Sequence, residues 1–283
     1  MRGILILALL LLGACQNMTP SAMDPPAGVI RDLHSGQRLS AQTLVERLAA
    51  APRVIVGEQH DNPDHHHAQL WLLQALAQRR AQGSVLLEML TPDQQKRVDE
   101  VHALSVARWP ADLPAALAWQ SGWDWNLYGP IVRYALAQPY PLLAANLDSA
   151  DVRRIYKQAP AVSGTRSNTA AVKNELLAQI RESHCGLLPE SRMSAMLAVQ
   201  QQRDRQMAER LLAAPAPALL FAGAYHARLD IGVPVHVQDL GDRSAPVVVM
   251  LAEKGAEVSS ASADYVWYTA ARPAQDYCAQ MRQ

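Results

Sequence analysis

Two distant phrases share one pattern: Gly57-Glu58-Gln59-His60 and Gly223-Ala224-Tyr225-His226. Glycine lets backbone pass close to a neighbour or ligand where a side chain would block it, and imidazole moves protons or binds metals near neutral pH. Each phrase follows an apolar run, Val54-Ile55-Val56 or Leu219-Leu220-Phe221-Ala222, that reads as a buried strand. Glu88 ends a third such run, Val85-Leu86-Leu87, and Asn146 ends a fourth, Pro141 to Ala145. In an open α/β sheet, ligands bind beyond the carboxyl ends of the strands. Glu58, His60, Glu88, Asn146, Tyr225 and His226 are therefore expected at one edge. That set suits acid–base work or a divalent metal such as Mn, Co or Zn. Taken singly, a strand-end carboxylate also serves as a helix cap or an ion-pair partner.

Periodicity and punctuation give the scaffold that carries these residues. Arg53 to Gly57 reads as strand, Asp61-Asn62-Pro63 as a capping turn, and Asp64 to Gln82 as helix closed by Gly83. Within Asp64-His65-His66-His67, consecutive side chains point about 100° apart and cannot converge on one ion. His66 shares a face with Leu70 and Leu73, and His65 is expected to look outward. After the Glu88 strand, Thr91-Pro92-Asp93 starts a helix. Val98 to Gln138 reads as short helices broken at Pro110, Pro114, Gly122 and Gly129. Further helices are expected at Ala150 to Gln158, Ala170 to Arg181 and Pro189 to Ala213, and strands at Ala218 to Ala222, Val247 to Leu251 and Tyr265 to Tyr268. This rhythm predicts a single α/β domain with a mostly parallel sheet flanked by helices and a ligand site at the strands' carboxyl ends.

The amino terminus points to a compartment. Arg2, an apolar stretch from Ile4 to Leu12, and Leu12-Gly13-Ala14-Cys15 read as a lipoprotein signal peptide over residues 1–14; the apolar stretch is far shorter than the ~20 residues a membrane span needs. Cys15 is then the lipidated first residue of the mature chain, and Gln16 in place of Asp favours the outer membrane. Residues 15–27, polar and proline-containing, read as a flexible tether, and 28–283 as the folded domain. Cys185 and Cys278 remain, either bridged or free, in a compartment that permits disulfides. With 26 basic and 26 acidic residues there is no electrostatic footprint for nucleic acid. Four of the six Trp fall between Trp109 and Trp125, a cluster suited to a flat aromatic ligand or a partner surface.

The phrases around Gly57 to Asn62, Glu88-Met89, Trp123 to Tyr128, Ala144 to Leu147, Ser183 to Gly186, Gln201 to Ala208, Gly223 to His226 and Gly232-Val233-Pro234 together resemble the ChaN-type haem-binding uptake lipoproteins. These are grouped with the Tiki and erythromycin-esterase-like proteins, and the match runs in order along nearly the whole mature chain. The resemblance implies a lipid-anchored outer-membrane protein facing the periplasm that holds haem during uptake, with an outer-membrane haem receptor as a possible partner. It also implies cofactor-binding positions at His60, Tyr128, His184, Tyr225 and His226. Relatives that are metal-dependent hydrolases imply an alternative: an inherited catalytic site of Glu58, His60, Glu88, Arg203 and His226.

Haem needs an apolar slot, an axial ligand and polar groups for its propionates. Ferric iron accepts phenolate as well as imidazole, so Tyr128 and Tyr225 are candidate iron ligands alongside the histidines. Trp123 and Trp125 could wall the ring, and Lys173 or Arg228 could meet propionates. A slot open at the surface covers one haem face only, which predicts a haem-promoted homodimer.

Overall fold

In the computed structural model, which describes residues 24–242, 244–273 and 275–282, the apolar runs become the centre of an eight-stranded sheet. The strands are β1 (Val29–Asp32), β2 (Arg38–Leu39), β3 (Arg53–Glu58), β4 (Ser84–Leu87), β5 (Leu142–Ala144), β6 (Ala218–Gly223), β7 (Val247–Glu253) and β8 (Tyr265–Thr269), in the order β2-β1-β8-β7-β3-β6-β4-β5. From β8 to β5 every pairing is parallel; β1 and β2 add an antiparallel edge. A strand covered on both faces has no solvent side, so its sequence reads as an unbroken apolar run. Within β3, Val54 and Val56 enter the core on one face and Ile55 the core on the other, the two-residue alternation of a pleated strand.

The helices are α1 (Ala41–Ala49), α2 (Pro63–Ala77), α3 (Gln95–His102), α4 (Leu113–Ala116), α5 (Trp125–Leu136), α6 (Ser149–Gln158), α7 (Ala170–Ser183), α8 (Glu190–Ala213), α9 (Ala224–Ala227), α10 (Val233–Asp239) and α11 (Tyr277–Met281). Leu72, Leu73 and Leu76 of α2 and Ile131, Val132 and Ala135 of α5 cover one face of the sheet. Met207, Ala208 and Leu211 of α8 and Val233 and Val237 of α10 cover the other. The chain thus leaves β3 toward one face and the adjacent β6 toward the opposite face. Where neighbouring strands part company in this way, a crevice opens at their carboxyl ends.

Several expectations need correction. α2 ends at Ala77 and not at Gln82, because Arg80 turns away to donate to the Leu48 and Ala49 carbonyls at the end of α1. Gly129 does not break a helix: α5 runs through it and Pro130, and the bare glycine lets Trp125 lie against the backbone, where a Cβ would stand 2.9 Å from the indole. The antiparallel edge and α1, whose N-cap Ser40 accepts from the Thr43 amide, had no counterpart in the expected elements. The signal peptide, Cys15 and most of the expected tether lie outside the described residues; within the tether's described end, Pro26 is buried. Among the described residues no helix is long and apolar enough to cross a membrane. Cys185, just after α7, and Cys278, in α11, form a disulfide with a Cα separation of 5.6 Å.

Candidate functional site

The two Gly-x-x-His phrases end on neighbouring strands. Parallel pairing sets Gly57 beside Ala222 and Glu58 beside Gly223. Each glycine makes room for the other phrase. A Cβ on Gly57 would meet the Ala227 Cβ at 2.6 Å and the Ala224 Cα at 3.2 Å, both on α9, which carries His226. A Cβ on Gly223 would stand 2.8 Å from His60 Nε2 and 3.5 Å from Glu88 Oε2. The repeat is thus a reciprocal packing device that draws His60, Glu88 and His226 to one strand edge.

On the β3 side, Glu58 Oε1 receives both the Tyr128 hydroxyl at 2.8 Å and His60 Nδ1 at 2.7 Å, and its Oε2 is buried with no partner. Trp123 stands edge-on to His60 with ring centroids 4.8 Å apart. Burial works to lower the His60 pKa, but the hydrogen bond and charge of Glu58, with Glu88 and Asp61 behind it, push it up to about 9. The ring still has 41% of its side chain exposed. Tyr128 is only 1% exposed. Burial and then the Glu58 charge drive its hydroxyl pKa far upward, which holds it as a phenol.

On the β6 side the arrangement is sealed. His226 Nδ1 lies 2.6 Å from Asp204 Oδ1, and its Nε2 lies 3.4 Å from Glu88 Oε1. Glu88 Oε2 accepts from the Gly223 amide at 2.7 Å, and the Asn146 side chain donates to the Glu88 carbonyl at 3.0 Å. Burial alone would deprotonate His226, but Glu88 and Asp204 outweigh it and raise its pKa. Burial also raises Asp204. Burial acts to raise Glu88 as well, but the charges of His226 and His60, the Gly223 amide and Arg203 leave it lowered, so Glu88 is a carboxylate between two imidazoles whose pKa values are both raised.

Asp204 was not among the expected site residues, although a signal exists. In α8 the buried positions Gln201, Asp204, Met207, Ala208 and Leu211 follow helical spacing, so Asp204 is an acid on the apolar stripe. The histidine tract also behaves differently from expectation. His65 does not look outward: it is fully buried, and its Nδ1 accepts from the Gln59 amide. His66 Nε2 bonds the His60 carbonyl at 2.9 Å, so the first turn of α2 shapes the loop that carries His60.

The remaining candidates scatter. Tyr128, taken as a phenolate ligand, is sealed and donates its proton to Glu58. Tyr225 is 39% exposed and is influenced by Glu182, Arg228 and Glu175, away from Glu58. His184 closes α7, with Nδ1 on the Ile180 carbonyl. Trp125 is edge-on to Trp119 and lies beneath the Arg133 guanidinium, so the Trp cluster is packed on itself and on the core and is not a free apolar surface. Arg228 is spent on Glu175 and Asp230, which removes it as a propionate partner. The divalent-metal alternative finds no support in donor placement. Among the described residues no three His, Cys, Asp or Glu side chains are grouped to hold an ion.

Beside this cluster lies a cavity of about 290 Å³ whose wall includes Trp123, Asn146 and Arg203. The family described as haem-binding uptake, Tiki superfamily, ChaN matches this chain over residues 44–237. No curated protein matches the chain. Among solved structures, ChaN of Campylobacter jejuni, described as binding haem cofacially, superposes with a TM-score of 0.79 at 30% identity, covering 85% of this chain and 96% of that one. An erythromycin esterase mutant, EreC in its open conformation, gives a TM-score of 0.46 at 12% identity over 89% of this chain and 85% of that one, a likeness too loose to speak to function. With the family matched over residues 44–237 and a 30%-identical relative superposing over 85% of it, this chain belongs to the ChaN haem-binding uptake family of the Tiki superfamily.

Proposed function

We propose that the protein is a lipid-anchored outer-membrane protein facing the periplasm that holds haem transiently during uptake, with Tyr225 as the iron ligand and a second copy closing over the open haem face. Exposure carries the ligand assignment. Of the two candidate phenols, Tyr225 alone presents its ring to solvent, while Tyr128 is locked to Glu58. The residues fit the cofactor. Leu187 and Tyr277, two of the large apolar side chains left exposed, are carried by the segments that the Cys185–Cys278 bridge joins, and Glu182 of the same α7 end acts on Tyr225. Lys173 of α7, which pairs with no carboxylate among the described residues, is suited to a propionate. Bound haem would supply a ferric centre; the chain binds and orients it. Family membership supports haem itself, and the cofacial haem described for the Campylobacter relative supports pairing of two copies. Anchorage rests on Leu12-Gly13-Ala14-Cys15.

Hemin added to the purified protein should give a high-spin ferric tyrosinate spectrum and haem-promoted dimers in sedimentation. Tyr225→Phe should lose that spectrum and Tyr128→Phe should keep it. An unchanged spectrum in Tyr225→Phe sinks the ligand assignment, and no spectral change in the parent protein sinks haem binding.

A second reading, an acid–base hydrolase, is favoured by the carboxylate of Glu88 held between two imidazoles whose pKa values are raised. Glu58, with one unpartnered oxygen, would take a proton from water as that water attacks an ester carbonyl, and the alcohol would leave with a proton from the half-open His60. Hydrolysis of a nitrophenyl ester that is lost in His60→Gln would support it; no turnover above buffer would end it.

A further inference from the structure

Of the six arginines on α6 and α8 four are engaged locally, which makes the other two informative. Along α6 and α8, Arg154 pairs with Asp151 at 2.6 Å, Arg205 with Glu209 at 2.7 Å, Arg192 donates to the Tyr156 hydroxyl, and Arg210 donates to the Ala144 carbonyl. Arg153 and Arg203, on the same two helices, form no ion pair or hydrogen bond among the described residues, and both line the 290 Å³ cavity. The Arg203 Nε is buried and has no partner among those residues. A buried donor left unmet is costly, and the protein interior rarely tolerates one without water or a ligand to satisfy it.

The rest of the wall sharpens the chemistry. Ser149, at the first position of α6, adds a hydroxyl at a helix amino terminus, where the backbone dipole favours negative charge. Thr91 and Asn146 are already engaged, the first with Gln94 and Gln120, the second with the Glu88 carbonyl and the Leu147 amide. Among the described residues, no Asp or Glu side chain lines the cavity. Two guanidinium groups with no ion pair among the described residues, both lining a small cavity whose described wall contains no acid, are complementary to an oxyanion that accepts planar, forked hydrogen bonds.

We propose that this cavity binds the carboxylate or phosphate group of a small molecule, held by Arg153 and Arg203. The site is separate from the Tyr225 surface and does not depend on the haem reading. It adjoins the strand-end cluster through two shared walls. Trp123 touches the cavity on one side and His60 on the other, and the charge of Arg203 acts on both Glu88 and His226. A molecule anchored by its oxyanion would lie beside Trp123, the ring that also packs on His60.

Titration calorimetry of the purified full chain with inorganic phosphate and, separately, with succinate tests this. One saturable site is expected, weakened about tenfold or more in Arg153→Gln and in Arg203→Gln and unchanged in Arg154→Gln. Arg153 is exposed, so its variant keeps the test alive if Arg203→Gln fails to fold. Preloading with hemin should leave the binding intact. Loss of binding on hemin loading would assign the arginines to haem propionates and overturn a separate site. No saturable binding of either anion, or equal binding in parent and Arg153→Gln, would overturn the proposal outright.

Discussion

The two Gly-x-x-His ends are the same phrase put to opposite use. At the end of β3 the imidazole is 41% exposed and leans on a buried glutamate that it shares with a tyrosine. At the end of β6 the imidazole is 9% exposed and is clasped by two buried carboxylates. The difference comes from the element that each glycine leads into. After Gly57 the chain runs through a loop into α2, capped by Asn62, and the Asn62 side chain and the His65 and His66 rings hold that loop from beneath. After Gly223 it turns at once into α9, which drops His226 against α8. One sequence pattern therefore fixes strand-end placement, and the next element decides whether the imidazole is open or enclosed.

The sharpest way to break this comparison is to empty each pair. Asp204→Ala leaves His226, whose pKa is raised, without its nearest carboxylate in a sealed site, a loss of about 3–5 kcal/mol of stability by the behaviour of buried ion pairs. His60→Ala removes a half-open ring and should cost about 1 kcal/mol or less. Urea unfolding of the two variants measures the contrast directly. Equal losses would mean that the β6 end is not the structural half of the site.

A smaller effect separates the two glycines. Gly57→Ala forces a methyl onto the Cβ of Ala227 and the backbone of Ala224, neither of which can yield without moving α9, so a loss of about 1–3 kcal/mol is expected. Gly223→Ala collides with the far edge of the His60 ring, which can swing into solvent, and reaches Glu88 Oε2 only at ordinary contact distance. That variant should keep most of its stability and instead displace His60, visible as a shift in the His60 ring resonances. Reversal of this order would show that His60 is locked in place more firmly than its exposure suggests.

Burial decides how much of this was legible. The strands β3, β4, β6, β7 and β8 stood out because burial on both faces leaves a continuous apolar signature, and the Gly-x-x-His repeat marked two of their ends. The β1–β2 edge did not: Val-Ile-Arg-Asp is short and half polar, and what makes it a strand is pairing with β8, Ile30 opposite Trp267. His65 read as outward because helical spacing gives angles around an axis and not the loop folded against its first turn. The Trp cluster advertised a ligand surface, but its rings pack on one another; composition cannot tell a binding wall from a core wall. Asp204 was readable as an acid on an apolar stripe, and Tyr225 was marked only by its place in the repeat.

The smallest expected effect lies in pH, where the open end and its supporting tract pull in opposite senses. Glu58 holds the native His60 pKa at about 9 against 6.5 for the free group, so between those values the folded state binds the proton the unfolded state has lost. The stability His60 contributes is fully present below pH 6.5 and is lost as pH rises through 9. Burial, and then His66, pushes His65 down to about 4, so the unfolded state takes up a proton there first and stability falls as pH drops from 6.5 through 4. Together the two histidines place a stability maximum near pH 6.5. Partial exposure of His60 screens its share, so the alkaline slope should be shallow. In urea midpoints measured across this range, His60→Gln should flatten only the alkaline limb and His65→Gln only the acid limb. If His60→Gln keeps the full alkaline slope, the proton is held instead by the enclosed His226, and the open end of the comparison carries no charge of its own.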